Sequence, residues 1–476
     1  MNKKKWFAIF FLVIAIALVV YILLVEVKKP TTEEAKEEKK VVLRVKPDEV
    51  MNIEFYNSSG EEIICTRKAK EDWNIIKPVQ DKADSGIVAS LLSQMEKLKA
   101  ENQLEGGNIK DYGLDEPKAR LRLELTDKEK IELLIGIKTF DDSAYYCKLA
   151  NKNEIFTLEK YIVDNYIDKK LDELRNKKLV VFDKDKVYKL IIKQGKTEAI
   201  CEKQDKDNWQ LVSPYKARAD KDIINMWLIN FHNLRIDEFV EEKPVSLERF
   251  GLLPPQAVFE LYIEGREKPE VLFIGKKSGE KYYAKLKTRN NVVSLDSSSI
   301  DDLLKKPRDL QDLYLFSFRD FENIISISVE KGNKKFKAVK IDKDWQVLEP
   351  TKGKGIVWKI ENPIRGLLWS KYQEEFIPKP KELSKLGLLP PVITVTLEDK
   401  QKKEYKIFIG NKLPKKIERE PLPSRYGKSP KVEGVVAYYA QKKGEKKVWA
   451  LTESVFKDIE GIINEVPIEK EEEGKK

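Results

Sequence analysis

Histidine and cysteine are scarce in this chain of 476 residues, which has one histidine and three cysteines. A zinc site needs several imidazole or thiolate ligands at close spacing, and the sequence offers no such spacing. Three cysteines cannot form a disulfide framework. Apolar strand patterns surround Cys65 and Cys201, so we expect these and Cys147 to be buried thiols. We therefore predict neither a metal nor a cofactor.

A strong excess of charge of one sign is also lacking. The chain has 90 basic and 80 acidic side chains, which leaves a net charge of +10. The basic residues are dispersed along the sequence, whereas nucleic-acid-binding proteins usually concentrate them on one face or helix. We therefore predict no nucleic-acid partner.

Long uncharged stretches are limited to the run from Trp6 to Val25, which follows Lys3–Lys5. Twenty residues of helix span the ~30 Å hydrocarbon layer of a membrane, and the run lacks a small-residue cleavage site. The flanking lysines favour a cytoplasmic N-terminus. We expect an uncleaved signal-anchor over residues 1–25 and a charged linker over residues 26–45. The protein would then be a single-pass protein of the cell membrane, with most of the chain extracytoplasmic.

One series of motifs occurs three times in the remaining sequence. Each copy has a tryptophan followed five residues later by a proline, then a Gly-Leu-x-x-Pro turn and an Ile-Gly pair, and the tryptophans lie 136 residues apart. A fixed period indicates tandem repeats. We place repeat domains at residues 46–183, 184–319 and 320–466, before a charged tail at 467–476. The recurring structural residues are Trp73, Pro78, Gly113, Pro117, Gly136, Trp209, Pro214, Gly251, Pro255, Gly275, Trp345, Pro350, Gly387, Pro391 and Gly410.

Apolar periodicity predicts the same elements in each copy. Alternating apolar residues indicate about seven mostly antiparallel strands, and two amphipathic segments indicate helices. The predicted fold class is therefore α+β. In the first copy Asp84 is placed as a helix N-cap. The apolar face of that helix is expected to contain Ile87, Leu91, Leu92, Met95 and Leu98.

The third copy departs from the series by an insertion at residues 411–437. A loop of this length is often either functional or disordered. Its basic side chains could contact an anionic partner, while disorder is the competing interpretation. The candidate partner-binding residues are Lys412, Lys415, Lys416, Arg419, Arg425, Tyr426, Lys428 and Lys431.

Taken in order, the tryptophan–proline pair, the Gly-Leu-x-x-Pro turn, the Ile-Gly pair and a following Tyr-Tyr pair resemble the domain of unknown function 4340 family. The resemblance extends over residues 46–466 as three consecutive copies, of which the third is degenerate. It implies an extracytoplasmic protein on one membrane helix. Genes of the family often neighbour those of gliding-motility-type ABC transporters, which implies an accessory subunit. The resemblance supplies no catalytic residues.

Catalytic patterns in the sequence are weak. Ser213 and Lys216 match a Ser-x-x-Lys motif, but they occupy the turn after a tryptophan strand and so short a motif is common by chance. His232 falls on the exposed side of the second copy's helix pattern, so we expect a solvated residue. The recurring tryptophans could stack on a sugar or peptide, although their position in strands favours a packing role. We predict no enzyme and no catalytic residues.

The leading hypothesis is a non-enzymatic, membrane-anchored interaction or scaffold protein that serves an ABC-transporter or envelope complex. The alternative is a receptor for cell-wall glycan or peptide. A hydrolase whose site is assembled from distant residues is a third hypothesis.

Overall fold

The computed structural model describes residues 37–104, 106–205, 208–418 and 434–469, together with Val13, Ile14, Ile16 and Val20. The chain forms two compact units. The first contains the residues up to Lys206, Val212–Pro214 and Asp222–Pro307. The second contains Asp207–Leu211, Tyr215–Lys221 and the residues from Arg308 onward.

The first large sheet has the order β5-β4-β3-β2-β8-β9-β10-β11-β7, and β1 pairs with β6 beside it. Its helices are α1 (Ser85–Met95), α2 (Lys160–Ile167) and α3 (Leu171–Leu174). The strands are β1 (Val41–Leu43), β2 (Val50–Tyr56), β3 (Glu62–Ala69), β4 (Asp72–Lys77), β5 (Asp81–Lys82), β6 (Leu98–Lys99), β7 (Gln103–Leu104), β8 (Ala119–Leu125), β9 (Lys130–Lys138), β10 (Ala144–Leu149) and β11 (Ile155–Glu159).

The second large sheet has the order β15-β14-β13-β12-β17-β18-β19-β20-β16. Its helices are α4 (Lys221–His232) and α5 (Ser297–Asp301). The strands are β12 (Val187–Gln194), β13 (Thr197–Asp205), β14 (Asn208–Ser213), β15 (Ala217–Arg218), β16 (Glu238–Glu241), β17 (Ala257–Ile263), β18 (Glu270–Ser278), β19 (Lys281–Leu286) and β20 (Val292–Asp296).

The third large sheet has the order β24-β23-β22-β21-β25-β26-β29-β30, and β27 pairs with β28 outside it. Its helices are α6 (Val357–Leu368) and α7 (Glu453–Asn464). The strands are β21 (Ile324–Lys331), β22 (Lys334–Ile341), β23 (Asp344–Glu349), β24 (Gly353–Lys354), β25 (Ile393–Asp399), β26 (Glu404–Lys412), β27 (Ile417–Glu418), β28 (Gly434–Val435), β29 (Ala437–Lys442) and β30 (Val448–Thr452).

Each sheet buries one face against its helices. Successive side chains of a strand point to opposite faces, so alternating apolar residues give one apolar face. In β8, for example, Leu121, Leu123 and Leu125 are buried. They share a core with residues of α1 such as Leu92. The equivalent core of the third sheet includes Trp345, on β23.

The recurring glycines bring two distant motifs into contact. Gly387 has φ +69°, in the left-handed region that glycine adopts without a steric penalty, and its turn lies against Gly410 of β26. A Cβ atom on Gly410 would lie 2.1 Å from the carbonyl oxygen of Leu386. The same contact joins Phe250 to Gly275, where the distance would be 2.2 Å. Glycine is required here because the backbone of the turn leaves no room for a side chain.

The predicted fold class was wrong. The structure is 44% strand and 22% helix, so it is mainly β rather than α+β. The large sheets have nine, nine and eight strands rather than about seven. The additional strands include edge strands of two residues, such as β5 and β24, which are too short to show a period in the sequence.

The predicted N-terminal transmembrane helix is also not supported. No helix in the part of the chain that the structure describes is long and apolar enough to cross a bilayer. Most of the predicted span from Trp6 to Val25 lies outside the described residues.

The expected N-cap of α1 is confirmed, and Leu91, Leu92 and Met95 of its predicted apolar face are buried. Leu98 is also buried, but it lies on β6 after the helix has ended. The Asp84 carboxylate accepts hydrogen bonds from the N–H groups of Gly86 and Ile87, at 3.0 and 3.2 Å. Ile87 is exposed and Val88 is buried instead. Val88 lies three, four and seven residues before Leu91, Leu92 and Met95, which is the spacing of one helix face.

Candidate binding clefts

The first unit contains a cleft of about 1100 Å³, named here cleft A. Five of its side chains are cationic and two are acidic. The charged residues are Lys68, Lys82, Arg175, Lys243, Arg289, Asp81 and Glu242. The excess of positive charge favours an anionic ligand.

The second unit contains a cleft of about 710 Å³, named here cleft B. Five cationic side chains face three acidic ones. The charged residues are Lys216, Arg218, Arg308, Lys442, Lys447, Asp312, Glu375 and Glu445. Cleft B is therefore also net positive, although less so than cleft A.

Each cleft is built from four chain segments, and the four segments of cleft A are equivalent to the four of cleft B. The first follows a tryptophan strand and its proline, and the second follows the last helix of the same sheet. The third precedes the glycine turn of the next sheet, and the fourth is the hairpin loop between that sheet's last two long strands. In cleft A these segments are Pro78–Lys82, Arg175, Glu242–Lys243 and Thr288–Asn291. In cleft B they are Tyr215–Arg218, residues 308–315, residues 372–375 and residues 442–447.

Arg175 forms ion pairs with both acidic groups of cleft A. Its side chain is 1% exposed, and its guanidinium lies 3.4 Å from the centre of the Phe239 ring. Nε and Nη2 donate hydrogen bonds to Asp81 at 2.9 and 2.7 Å, and Nη1 and Nη2 donate to Glu242. A buried charge is tolerated only with such partners. The opposite charges of Arg175, Asp81 and Glu242 therefore hold this wall of cleft A together.

Arg289 and Asn291, on the loop between β19 and β20, keep unused hydrogen-bonding capacity. Arg289 Nη1 is buried and lies 3.8 Å from Asp81, which is an ion pair without a hydrogen bond. Asn291 is 6% exposed, and its Oδ1 has no hydrogen-bond partner among the described residues. Buried polar groups in folded proteins are nearly always paired. These two side chains could therefore bind a ligand in cleft A.

The charged groups of cleft B pair with one another. Burial raises the pKa of Glu375, but Lys447 and Arg308 donate hydrogen bonds at 2.9 and 3.0 Å and bring this pKa below its ordinary value. Burial, together with the 2.6 Å hydrogen bond that Tyr372 donates to Glu445, raises the pKa of Tyr372. Glu375 is therefore ionised and Tyr372 neutral around pH 7.

A family model described as a domain of unknown function (DUF4340) matches residues 73–208 and 209–374. These two adjacent segments include more than half of the chain. The chain belongs to the DUF4340 family. Both matched segments begin at a tryptophan strand, and the residues after 374 lie outside the match. The sequence motifs predict three copies, and the family match contains two.

Comparison with other proteins gives this DUF4340 protein no function. No protein with a curated description matches it. A DNA polymerase sliding clamp from Pseudomonas aeruginosa, bound to a ligand, matches 87% of this chain and 94% of its own at 5% identity, with a TM-score of 0.13. A putative DNA polymerase III beta subunit from Eubacterium rectale ATCC 33656 has the same coverage at 6% identity and a TM-score of 0.13. Similarity this low supports no argument about fold or function.

The insertion that the sequence singled out is only partly described. The strands β27 and β28 pair at its base, where Ile417 packs with Ala437 and Ala450. Lys412, Lys415 and Lys416 are exposed. The remaining candidates, Arg419, Arg425, Tyr426, Lys428 and Lys431, lie outside the described residues.

The structure places the other singled-out side chains in the cores and turns of this DUF4340 protein. The motif tryptophans Trp73, Trp209 and Trp345 are buried, which fits packing rather than stacking on a ligand. Ser213 is the last residue of β14, directly before Pro214, where the turn begins. Cys65, Cys147 and Cys201 are buried as predicted, and burial raises the pKa of Cys65 to about 12.

His232 is not the solvated residue that the sequence predicted. Its ring is half-buried and lies 5.2 Å from the ring of Phe182. The helix pattern of α4 could not show this contact because Phe182 belongs to the segment before β12. Groups of three or more potential metal ligands do not occur among the residues described by the structure.

Sequence patterns missed the residues of both clefts. Asp81, Arg175, Glu242 and Arg289 are separated by up to 208 residues and occupy short edge strands and loops. Charged residues at such positions are ordinary in a chain with 36% charged residues. Their only sequence signal is their place relative to the recurring motifs, which could be recognised only once the sheet order was known.

Proposed function

We propose that this protein is a non-enzymatic binding protein that takes anionic groups of a partner into clefts A and B. One observation carries the proposal: the same four chain segments build a net-positive cleft in each unit. A positive cleft with low-dielectric walls raises the local concentration of anions and accelerates their association. The partner we propose is a component of an ABC-transporter or other envelope complex, a class suggested by the family resemblance of the sequence motifs.

The protonation states in cleft B support binding over catalysis. A general acid or base works best when its pKa lies near the working pH. The low pKa of Glu375 and the high pKa of Tyr372 keep both groups in one state around neutrality. Both side chains are also engaged in hydrogen bonds within the cleft.

Reversing exposed charges at the cleft edges tests the proposal. Lys243 and Lys216 line clefts A and B and are exposed, so Lys243→Glu and Lys216→Glu change charge without emptying a core. We expect the double variant to capture the transporter or envelope component at least about tenfold less well than the unaltered protein, since like charges repel at an interface. Lys457→Glu, at an exposed site on α7, is the control. Equal capture by the double variant and the control would contradict the proposal.

A further inference from the structure

We propose that cleft A binds the phosphate group of a small polar phosphomonoester through Arg289 and Asn291. The proposal rests on the proposed function in taking cleft A as a binding site, and it adds the class of ligand and the residues that recognise it. Both side chains line the cleft and belong to the loop between β19 and β20.

The hydrogen bonding of cleft A leaves a donor atom of Arg289 for a ligand. Arg175 donates hydrogen bonds to both Asp81 and Glu242, so each of these carboxylates already has a charged donor. Arg289 adds a further positive charge, with Nη1 buried, 3.8 Å from the nearest carboxylate oxygen and without a hydrogen bond among the described residues. A guanidinium in this position matches the oxygen atoms of a phosphate group.

Asn291 supplies a second, independent contact. Its side chain is 6% exposed, it lines the cleft, and Oδ1 has no hydrogen-bond partner in the described part of the chain. An amide oxygen accepts a hydrogen bond and cannot donate one. Phosphate and phosphomonoesters carry an ionisable O–H near neutral pH, since the second pKa of a phosphate ester is about 6. One ligand group can therefore accept from Arg289 and donate to Asn291, which fully ionised sulfate cannot do.

The size of the cleft indicates more than a free ion. A volume of about 1100 Å³ is slightly above the usual range of about 300–1,000 Å³ for small-molecule sites. The rest of its wall includes Gln80, Thr288, Asn290 and Lys243, which suit hydroxyl groups or further oxygen atoms. A phosphomonoester of a polar small molecule satisfies both the two-residue contact and the polar wall.

Calorimetric titration of the full chain tests the proposal with three probes: inorganic phosphate, glycerol phosphate and sulfate. We expect glycerol phosphate to bind more tightly than inorganic phosphate, and both to bind more tightly than sulfate. Inorganic phosphate bound as tightly as glycerol phosphate would identify the free ion as the ligand and overturn the phosphomonoester assignment. No heat from either phosphate compound would overturn the whole inference. Failure of this inference leaves the proposed function standing if Lys243→Glu and Lys216→Glu still reduce partner capture.

Binding measurements on variants test whether Arg289 and Asn291 form the site. Arg289→Met should weaken phosphate binding about tenfold or more, the effect of losing one hydrogen bond to a charged group. Asn291→Ala should bring the affinity for phosphate down to that for sulfate. The control is Arg122→Met, because Arg122 lies in the same unit and donates to Glu54 and Glu132 outside the cleft. Unchanged binding in Arg289→Met, or equal loss in Arg122→Met, would overturn the inference, and circular dichroism of each variant verifies its fold.

Discussion

At the scale of single residues, the energetic cost of breaking the ion pairs of Arg175 depends on their burial. Its guanidinium has almost no contact with solvent, so its two carboxylate partners replace the water that it loses on folding. Removing one partner of such a cluster leaves the others buried without compensation, which costs more than the cluster contributes as a whole. An ion pair on the surface behaves differently, because water solvates each partner when the other is removed.

Arg175→Met should therefore lower the free energy of unfolding of the first unit by about 3–5 kcal/mol. Urea denaturation measures this. Adding Asp81→Asn should recover part of the loss, because it removes an uncompensated carboxylate. Lys277→Met is the control: Lys277 and Asp301 pair at 3.2 Å with side chains 44% and 49% exposed, and its effect should stay below about 1 kcal/mol. Equal effects of the two single substitutions would contradict the role of burial.

Two tryptophans of the second unit allow a matched test of packing. Trp345 is 1% exposed in the core and Trp358 is 61% exposed on α6. Trp345→Ala should cost about 3–5 kcal/mol of unfolding free energy because it empties a large aromatic site. Trp358→Ala should change it by about 0.5 kcal/mol, as is usual on a surface. Urea denaturation followed by circular dichroism gives both values, and similar values for the two variants would argue against a packing role for Trp345.

The burial of a residue could be predicted from the sequence where an apolar pattern recurs. It could not be predicted where two adjacent apolar residues fit the period of a helix equally well. The buried tryptophans and cysteines were identified from their place in alternating strands. Only the start of the α1 face is predicted wrongly, because Ile87 and Val88 are both apolar and adjacent, so either could begin the apolar stripe. The contact of His232 with Phe182 involves residues fifty apart, and no local period reports it.

At the scale of elements, a glycine turn lies against a glycine of a neighbouring strand in each sheet, where the backbones are too close for a side chain. Gly410→Ala would place a methyl group 2.1 Å from the carbonyl oxygen of Leu386, and backbone atoms cannot move aside cheaply. We expect a loss of unfolding free energy of about 3 kcal/mol or more, at the upper end for overpacking. A methyl group on Gly461, within α7, would have no neighbouring atom within 4 Å, so Gly461→Ala should instead stabilise by about 0.5–1 kcal/mol. Thermal denaturation of the two variants should show shifts of opposite sign.

The elements themselves were predictable to the extent that they are long. The tryptophan strands, the strands after the glycine turn and the first helices of the first two sheets have clear periods, and the structure contains them. Edge strands such as β5 and β24 have two residues each. An alternation of apolar and polar residues cannot be recognised in so short a segment. Of the short edge strands, β5 lines cleft A and β15 lines cleft B. The candidate sites were therefore missed together with these edge strands.

At the scale of the whole molecule, the second unit gathers residues that are far apart in sequence. It includes Tyr215–Lys221 along with the residues from Arg308 onward. Asp220 N–H donates to the Leu310 carbonyl oxygen at 2.8 Å, and Arg218 donates to the Tyr314 carbonyl oxygen at 2.8 Å. The period of the motifs follows chain order, whereas the compact units are defined by contacts. The sequence therefore could not reveal that Tyr215–Lys221 belong to the second unit.

The stability of the second unit should depend on pH through Glu375. Its pKa in the folded chain lies below the ordinary value of 4.5, so the folded state binds fewer protons than the unfolded state in the acidic range. The contribution of Glu375 to stability is therefore fully present above about pH 4.5 and is lost as the pH falls through the folded pKa. Glu375→Gln should lower the unfolding free energy at pH 7 and make little difference at the lowest pH. Urea denaturation between neutral and acidic pH tests this, with the 82% exposed Glu465→Gln as control. An unchanged pH slope in Glu375→Gln would contradict the assignment.

Because each cleft takes two segments from one sheet and two from the next, a solitary sheet of this type would possess only half of a cleft. Gene duplication within such a chain would create a recognition site that neither parent copy had, and each further copy would add one more. The residues of such a site can change during evolution without disturbing the hydrophobic core of either sheet. In cleft A, atoms of Arg289 and Asn291 have no hydrogen-bond partner among the described residues, whereas in cleft B most charged groups pair with one another. The two clefts would then represent two outcomes of one inherited geometry.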